Sequence, residues 1–590
     1  MSFMVNPHPY DDVKRVNYLD SIITKSGFTE GLEKVRKEIS NLYGDKSFIF
    51  DYYLDPISLT VIEFDSFKNH VIKNVSDFYI SDEQFIQKIE GSLPTDLEKD
   101  PYLLFGKIYE GKIEDFIDKE KVEEFFEENK NEKILLYGIG SSAKIFRKNI
   151  ESIVYFDRTP KDLSLLVSAE KYKHIIKTVG SSFNEKLRQF YYIDMMVAMR
   201  LRKELMRERL PEYYVVKNPR DEYNMVKINS LNYIFEELVK MPIRPKPIYL
   251  PGVWGGEYIK TIRNLHKEIE QKISWVFEFI PLESSLGIIL GDTYLDIPFY
   301  TFLNHKEKEV LGEKALEEFN GFFPVRVNYD DTWHGDGNMS IQVHPGEDFI
   351  KDNYNEYGSQ DEAYYIVATG HEAVTYAGMN IDPQQFISYC EDSYINKTTI
   401  DYKNFINYFD SKPGLQFMIP GGTLHSSGRN QFVLEHGSLT VGSYTYKLYD
   451  YVRKDLNGKP RPIHIDNGAQ VLRKVQDRQW AKENMMMKPL TLTSTSNYKE
   501  KIIGNNESMY YETRRIELNI RSTYIGQTND SFALLAVVDG EKINVSNSND
   551  EAYNYDAKYL DILIIPASMK EYKIKALGYQ PVIVHKTILK

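Results

Sequence analysis

The sequence predicts a multidomain protein in which an α/β module precedes two β-barrel domains, the first of them carrying a helical insertion. Three observations predict this architecture: a length of 590 residues, an alternation of helical patterns with short apolar runs before residue 240, and a dense series of short strand patterns after it. The predicted domains are residues 1–240, 241–485 and 486–590, with the helical insert near residues 382–412.

Composition argues against several classes of protein. With 73 Lys and Arg against 86 Asp and Glu, the formal net charge of −13 disfavours binding to nucleic acid, although a small anionic substrate stays compatible with it. The sequence has no apolar run of eighteen residues and no signal-peptide pattern at its start, so we expect no membrane insertion. Cys390 is the only cysteine, which leaves His, carboxylate and amide groups to hold any metal. We therefore expect a cytoplasmic protein, and the pattern does not indicate its oligomeric state.

The first 240 residues carry the α/β pattern. A charged helical run before residue 130 leads into an apolar strand at residues 134–137, a glycine turn and a second helical run. The turn, residues 138–144, has the sequence GIGSSAK. It lacks the Lys-Ser/Thr pair of a P-loop and the third glycine of a dinucleotide-binding loop. We interpret it as a structural turn without a ligand.

The composition and the hydrophobic pattern of the chain change near residue 244. The Pro-rich stretch at residues 242–251 is typical of a linker that leads into a new domain. Short apolar or alternating runs divided by Gly, Asn and Asp follow, and their density predicts a β-sandwich or barrel. The helical pattern at residues 382–412 separates two blocks of strands, and the last hundred residues predict a smaller third barrel.

Two strand blocks of the second domain contain residue types that bind metals. Gln342 and His344 are separated by one residue, so on a strand their side chains lie on the same face. Glu362 begins another strand pattern eighteen residues after His344, and His425 follows a Pro-Gly-Gly turn. Either histidine alone would be explained as an ordinary core or surface residue. The combination favours a metal site.

The spacing around His425 is recognisable. Gly414, five residues, Pro420, one residue, Gly422, two residues and His425 resemble the second signature of the cupin (jelly-roll) barrels, in which a tight turn at the rim directs the next strand's histidine inward. Together with SIQVHP, AYYI, VLEHGS and YKLYDYVRKDLNGKPRPIHI, it resembles the type I mannose-6-phosphate isomerases, or phosphomannose isomerases. The resemblance begins at YLPGVWGG and covers about residues 244–590. Residues 1–240 resemble the extra N-terminal region of a long bacterial variant, similar to a nucleotide-kinase-type module without its phosphate loop.

The resemblance implies a zinc site with one ion per chain, and the mixed N/O ligand set would also accept other divalent first-row metals. The implied ligands are Gln342, His344, Glu362 and His425. A rival acid is Glu347, close to where the first cupin signature places its carboxylate. We expect Glu362, because its eighteen-residue step from His344 fits the isomerase pattern.

The resemblance also implies substrate-binding residues. Trp254 matches the family's pocket tryptophan, Ser340 the serine that holds the phosphate, and Glu435 the acid that faces the sugar. The active-site arginine falls on Lys447, which keeps the charge but loses the two-pronged hydrogen bonding of a guanidinium. Arg453 is the next cation that we consider for substrate binding. Plain alternatives are packing for Trp254 and Ser340, and solvated edge-strand charges for the two cations.

These features predict a sugar-phosphate isomerase that interconverts mannose 6-phosphate and fructose 6-phosphate through an enediol-like intermediate. Such a reaction needs a base and stabilisation of developing oxygen charge, and Lys447 and Glu435 are the catalytic candidates. The alternative is a non-catalytic sugar-phosphate-binding protein, because Lys447 replaces the family's arginine and Gln360-Asp361 replaces the string that contains its lysine. A metal-dependent oxygenase is disfavoured, since Gln342 and Glu362 stand where an all-histidine rim would be expected.

Overall fold

The computed structural model describes residues 6–19, 28–42, 46–97, 99–150, 152–219, 222–356 and 358–590. Within these ranges the strands form six sheets, which fall into an N-terminal part, a middle part and a C-terminal part. No helix in the described ranges is both long enough and apolar enough to cross a bilayer.

The N-terminal part alternates strands with helices, as the sequence predicts. Its strands are β1 (Asn17–Tyr18), β2 (Phe28–Glu30), β3 (Phe48–Tyr52), β4 (His70–Asn74), β5 (Lys133–Tyr137), β6 (Ser152–Asp157), β7 (Tyr213–Lys217) and β8 (Tyr223–Lys227). Its α-helices are α1 (Leu32–Leu42), α2 (Asp82–Ile89), α3 (Lys119–Glu128), α4 (Lys144–Arg147), α5 (Pro160–Ser168), α6 (Phe183–Gln189), α7 (Met195–Arg207) and α8 (Ile228–Leu238). A π-helical turn, Phe190–Asp194, joins α6 to α7.

Seven of these strands form one sheet in the order β2-β8-β7-β6-β3-β5-β4. The five strands from β7 to β4 run parallel, while β8 and β2 are antiparallel at one edge. Parallel strands are usually covered on both faces, which explains why β3, β5 and β6 are nearly continuous apolar runs. This sheet is the α/β module that the sequence predicts.

The glycine turn after β5 binds a carboxylate of the protein itself. Asp51, at the end of β3, accepts hydrogen bonds from the backbone N–H groups of Gly140 (3.0 Å) and Ser142 (2.9 Å) and from the Ser142 hydroxyl. Gly140 has φ +79°, a left-handed conformation that favours glycine. Burial raises the pKa of Asp51 to about 6, although the hydrogen bonds from the turn oppose that rise. Backbone donors that a phosphate would need are therefore occupied internally.

We expect no low-micromolar ATP binding at this turn. The reason is that Asp51 uses its donors and that no Lys-Ser/Thr pair is present to hold phosphates and Mg²⁺. Calorimetric titration of the full chain with ATP and Mg²⁺ measures this, with Lys144→Ala as the comparison. A low-micromolar dissociation constant that Lys144→Ala removes would contradict the expectation.

The middle part contains more of the described strands than either of the other parts. Its strands are β9 (Ile248–Gly256), β10 (Ile273–Phe279), β11 (Ser285–Leu290), β12 (Thr293–Pro298), β13 (Val325–Asp331), β14 (Ile341–Val343), β15 (Glu362–Thr369), β16 (Val374–Met379), β17 (Ile406–Asp410), β18 (Gln416–Ile419), β19 (His425–Ser427), β20 (Gln431–Ser438) and β21 (Tyr446–Tyr449). Its helices are α9 (Tyr258–Arg263), α10 (Phe299–His305), α11 (Glu307–Glu318, broken at Gly312), α12 (Glu347–Tyr354), α13 (Pro383–Asn396), α14 (Ile465–Val471) and α15 (Arg478–Asn484).

Two antiparallel sheets of the middle part pack face to face. Their strand orders are β18-β15-β20-β13-β10-β9 and β17-β16-β19-β14-β21, and one apolar cluster contains residues of both sheets, such as Ile366, Ala377 and Val433. A third sheet, β1-β11-β12, includes the short strand β1 from the start of the chain. The described strands leave each sheet open, so the predicted barrel closure is not confirmed. Local alternation predicts strands, but closure depends on pairing between strands distant in sequence.

The helical insertion is shorter than its predicted span. Helix α13 covers Pro383–Asn396 and is capped by the preceding Asp382, whose carboxylate accepts hydrogen bonds from the N–H groups of Gln384 and Gln385. Residues 406–410, inside the predicted insert, instead form β17. This strand pairs with β16, an interaction that helical spacing alone could not reveal.

The Pro-rich stretch is a buried junction and not a free linker. Arg244 is fully buried, and its guanidinium lies 2.6 Å from the carboxylate of Glu278 and 3.4 Å from that of Asp561. Arg15, near the start of the chain, also lies 3.2 Å from Asp561. Prolines interrupt regular structure without requiring exposure, so this composition predicts a break but not its burial.

The C-terminal part is a second pair of stacked sheets. Its strands are β22 (Leu490–Ser494), β23 (Tyr498–Asn505), β24 (Tyr511–Leu518), β25 (Thr523–Gln527), β26 (Ala533–Asp539), β27 (Lys542–Asn547), β28 (Asn554–Lys558), β29 (Ile562–Ile565), β30 (Glu571–Ala576) and β31 (Val582–Leu589). They form the sheets β22-β23-β24-β31-β26-β29 and β25-β30-β27-β28 around a shared apolar core. The short 3₁₀ turns among the described residues are Pro56–Val61, Phe64–Phe67, Val75–Phe78, Glu90–Ser92, Ile113–Phe116, Tyr402–Asn404 and Ala567–Met569.

Candidate metal centre

Three strands of the middle part bring two histidines and a glutamate together. His344 follows β14, Glu362 begins β15, and His425 begins β19. The Nε2 atoms of His344 and His425 lie 3.1 Å and 3.3 Å from the two carboxylate oxygens of Glu362. The imidazole centroids are 4.9 Å apart, and one ligand atom from each of the three residues lies within 4.8 Å of the others. Ligands of one ion at about 2 Å each must lie this close.

The chemistry of this cluster fits a cation. All three side chains are buried, and two of the facing atoms, Nε2 of His425 and Oε2 of Glu362, have no partner with hydrogen-bond geometry. Burial alone would raise the pKa of Glu362, but the neighbouring His344, His425 and Arg326 lower it well below its ordinary value. An ionised carboxylate and two imidazole nitrogens directed at one point are suitable ligands for a divalent metal.

Backbone carbonyls orient both imidazoles. Nδ1 of His344 lies 3.1 Å from the carbonyl oxygen of Tyr444, and Nδ1 of His425 lies 2.9 Å from that of Thr423. A carbonyl accepts only from a protonated Nδ1, so the contact with Thr423 favours the His425 tautomer whose Nε2 lone pair is directed at the cluster. His344 differs, because its Nδ1 also lies 3.0 Å from the amide nitrogen of Gln360, which is a donor and cannot accept from a protonated Nδ1.

Gln342 lies beside the three clustered residues. On β14 it is the register partner of both His425 on β19 and Lys447 on β21. Its Nε2 is 3.4 Å from Nε2 of His344, and its Oε1 accepts a hydrogen bond from the Ser340 hydroxyl at 2.9 Å. Ligation would use the oxygen, which requires the amide to turn over.

The rival acid lies elsewhere. Glu347 is exposed in the first turn of α12, beyond the Pro-Gly step that ends the strand segment. Gln360 and Asp361, which directly precede Glu362, are both buried and hydrogen-bonded. Gln360 lies 3.0 Å from Nδ1 of His344 and accepts from the N–H of Tyr444, while Asp361 accepts from the N–H of Gly421.

Arg326 is a central residue of the site that the sequence reasoning missed. Its guanidinium, on β13, donates to Glu362 at 2.6 Å and to Glu435 at 2.7 Å. Burial alone would lower the pKa of Arg326, but these two carboxylates hold it above its ordinary value. A signal was present in FPVRVNYDD, where Arg326, Asn328 and Asp330 alternate with apolar residues and so share one face of a strand. Polar residues on the buried face of a strand indicate that this face lines a functional site.

The site opens into a cavity of about 660 Å³. Gln342 and Glu362, two of the candidate ligands, line it together with Arg326, Glu435 and Lys447. Burial lowers the pKa of Lys447 to about 7, with a further contribution from the positive charges of Arg461 and Arg453. Burial also raises the pKa of Glu435, as does the charge of Glu362.

The predicted substrate residues divide into two groups. Trp254 and Ser340 line the cavity, and Trp254 packs edge-on against Trp275 with ring centroids 4.6 Å apart. Arg453 is not among the lining residues: its guanidinium donates to Asp450 and, at 2.7 Å, to the carbonyl oxygen of Asn338. Arg461, which the sequence reasoning did not select, lines the cavity and bonds to the same Asp450.

The fold and the site together define a protein of stacked β-sheets that holds a buried His-Glu-His cluster able to bind a metal ion. The chain is also similar in sequence to known proteins. Mannose-6-phosphate isomerase ManA of Bacillus subtilis is 23% identical over 345 residues, 58% of this chain and 98% of the relative. The mannose-6-phosphate isomerase of Streptococcus mutans is 23% identical over 245 residues, 38% of this chain and 68% of the relative. These relatives confirm the predicted resemblance to mannose-6-phosphate isomerases.

Two further comparisons concern the fold and the N-terminal part. The crystal structure of the mannose 6-phosphate isomerase from Bacillus subtilis aligns with 59% of this chain and 100% of its own, with 19% identity and a TM-score of 0.45. Residues 31–240 match the model of a domain of unknown function, DUF8485. The kinase-like interpretation of this region stays a prediction.

Proposed function

We propose that this chain is a metal-dependent sugar-phosphate isomerase that interconverts mannose 6-phosphate and fructose 6-phosphate. The observation that carries the proposal is the buried cluster of His344, Glu362 and His425 beside a cavity that also contains Glu435 and Lys447. The 23% identity with nearly the whole of a Bacillus subtilis mannose-6-phosphate isomerase supports the choice of reaction.

The proposed metal is Zn²⁺ or another divalent first-row ion, one per chain. Its proposed ligands are Gln342, His344, Glu362 and His425. When bound, such an ion would act as a Lewis acid towards the sugar oxygens. The chain's part is to hold the two imidazoles by the carbonyls of Tyr444 and Thr423 and to keep Glu362 ionised through Arg326.

Isomerisation moves a proton between neighbouring carbons of the sugar, so it needs a proton carrier and a charge that stabilises oxygen. Glu435 is the proposed proton carrier, because it lines the cavity without belonging to the ligand set and burial raises its pKa. Lys447 is the proposed stabilising charge. Arg461 and Ser340, which also line the cavity, offer a cation and a hydroxyl to the phosphate group.

A coupled assay tests the proposal. The purified chain, loaded with Zn²⁺, is given mannose 6-phosphate, and fructose 6-phosphate is measured with and without prior chelation. Turnover that chelation removes and Zn²⁺ restores is expected. Binding of mannose 6-phosphate without any turnover would favour the alternative, a non-catalytic sugar-phosphate-binding protein.

The replacement of the family's arginine by Lys447 gives a separate prediction. Lys447→Ala is expected to lower kcat by about 100-fold with little change in KM, because a charge used in the transition state affects turnover more than ground-state binding. Lys447→Arg should keep or raise activity. Steady-state kinetics measures both variants beside Lys474→Ala, an exposed lysine. An Ala variant with the wild-type rate would place the charge on Arg461 instead, another cation that lines the cavity away from the two carboxylates of Arg326.

A further inference from the structure

The cavity is lined by two regions of the chain that are far apart in sequence. Besides the residues of the middle part, its lining includes Tyr102, Leu104, Ser182, Phe183 and Asn184 from the N-terminal part. We call these five residues the module wall. They lie outside the strands that carry the candidate ligands, in the segment before α3 and at the start of α6.

Hydrogen bonds within the N-terminal part hold the module wall together. The amide nitrogen of Asn184 donates to the carbonyl oxygen of Tyr102 at 3.1 Å, which joins its two segments. The carboxylate of Asp100 accepts from the N–H groups of Phe105 (2.7 Å) and Tyr102 (3.3 Å). Arg188, on α6, donates to the carbonyl oxygen of Phe105 at 3.1 Å. Four backbone groups around Tyr102 are thus restrained.

The segment around Tyr102 also packs against the segment of the middle part that carries Lys447. The ring of Phe105 packs against those of Tyr446 and His464, with centroids 5.3 Å and 5.0 Å away. The N–H of His464 in turn donates to the carbonyl oxygen of Lys447 at 2.9 Å. The amide of Asn467 on α14 donates to the carbonyl oxygen of Lys99 at 2.9 Å. The wall is therefore held at a defined place next to strand β21, which carries Lys447.

The chemistry of the wall suits the apolar face of a sugar. Tyr102 and Phe183 are half-buried aromatic rings, and Trp254 and Trp275 line the same cavity from the middle part. Small-molecule sites are typically apolar cavities of about 300–1,000 Å³ in which a few polar groups set the orientation. Aromatic residues contributed by both parts would enclose a ligand that neither part encloses alone.

We propose that the N-terminal part supplies a substrate-positioning wall, in which Tyr102 and Phe183 contact the phosphosugar and select for it. The inference rests on the proposed isomerase function. It assigns to the DUF8485 region a contribution to substrate binding in the cavity of the middle part, without a nucleotide or a chemical step of its own.

Kinetics of the full chain with mannose 6-phosphate tests the wall. Tyr102→Ala and Phe183→Ala are each expected to raise KM about tenfold, the loss of about 1.4 kcal/mol of contact, while kcat changes less than twofold. Tyr102→Phe keeps the ring and should keep the wild-type KM. Tyr233→Ala, which removes an exposed aromatic residue of the same part on α8, is the matched control.

The possible outcomes distinguish a failure of the proposed module wall from a failure of the proposed isomerase function. An unchanged KM in both Ala variants of an active enzyme would overturn the wall. A fall in kcat at constant KM would overturn it too, because that pattern indicates lost transition-state stabilisation and not a lost contact with the bound substrate. A wild-type chain without turnover would overturn the proposed function itself. Thermal unfolding of each variant, measured in parallel, checks that the Ala variants remain folded.

Discussion

Replacing His425 by alanine is expected to remove most of the bound metal and to lower turnover by more than about 100-fold. His425 is fully buried, and its Nε2 lies 3.3 Å from Glu362 without a hydrogen-bond partner. The substitution would remove one of the two imidazoles of the His344, Glu362 and His425 cluster. His344→Ala should have the same effect, since the two rings occupy equivalent places beside Glu362.

Elemental analysis of the purified variants, together with the coupled assay, measures this result. His371→Ala is the matched control, because the His371 side chain is 84% exposed and lies outside the cluster. The chain is expected to remain folded, since the core of each part is made of apolar residues at other positions. Equal metal content in His425→Ala and the control would show that the site is wrongly assigned.

Removing the charge of Arg326 is expected to have the largest effect on stability. Arg326→Met keeps most of the side-chain volume but leaves Glu362 and Glu435 buried without their shared cation. Breaking a buried ion pair from one side typically costs about 3–5 kcal/mol, because a buried charge is left uncompensated. We expect the free energy of unfolding of the middle part to fall by that amount.

Tryptophan fluorescence during urea unfolding reports on this part, since all four tryptophans of the chain lie between residues 254 and 480. Arg429→Met, at an exposed position, is the control. The double variant Arg326→Met with Glu435→Gln should recover part of the loss, because it removes one of the two uncompensated charges. If Arg326→Met matched the control, the pairing of Arg326 with the two carboxylates would not be important for stability.

Much of the fold follows from local patterns. The alternation of apolar runs with helical stripes predicts the parallel sheet of the N-terminal part, and the dense short runs predict the strands of the later parts. The predicted barrel closure and the full span of the helical insertion are not confirmed. Both depend on which strands pair across long sequence distances, as β17 pairs with β16.

The ligand types in the candidate site were predictable from local spacing, while the contacts that surround them were not. The one-residue step from Gln342 to His344 places both on one face of a strand whatever the tertiary structure. No comparable local rule relates Arg326 to Glu362, or His344 to the carbonyl of Tyr444 one hundred residues later. Those contacts exist because strand register brings distant residues side by side.

The sequence by itself determined the alternation of strands and helices, the residue types available to a metal, the tight turn before His425 and the absence of a phosphate-binding motif after β5. These features follow from the geometry of a few neighbouring residues, which is set by bond lengths and dihedral preferences. Only the tertiary structure decided that Arg326 joins two carboxylates, that Arg461 and not Arg453 lines the cavity, and that Tyr102 and Phe183 complete its wall. The physical reason is that burial, pairing of charges and cavity shape arise from packing between segments tens to hundreds of residues apart, on which local periodicity carries no information.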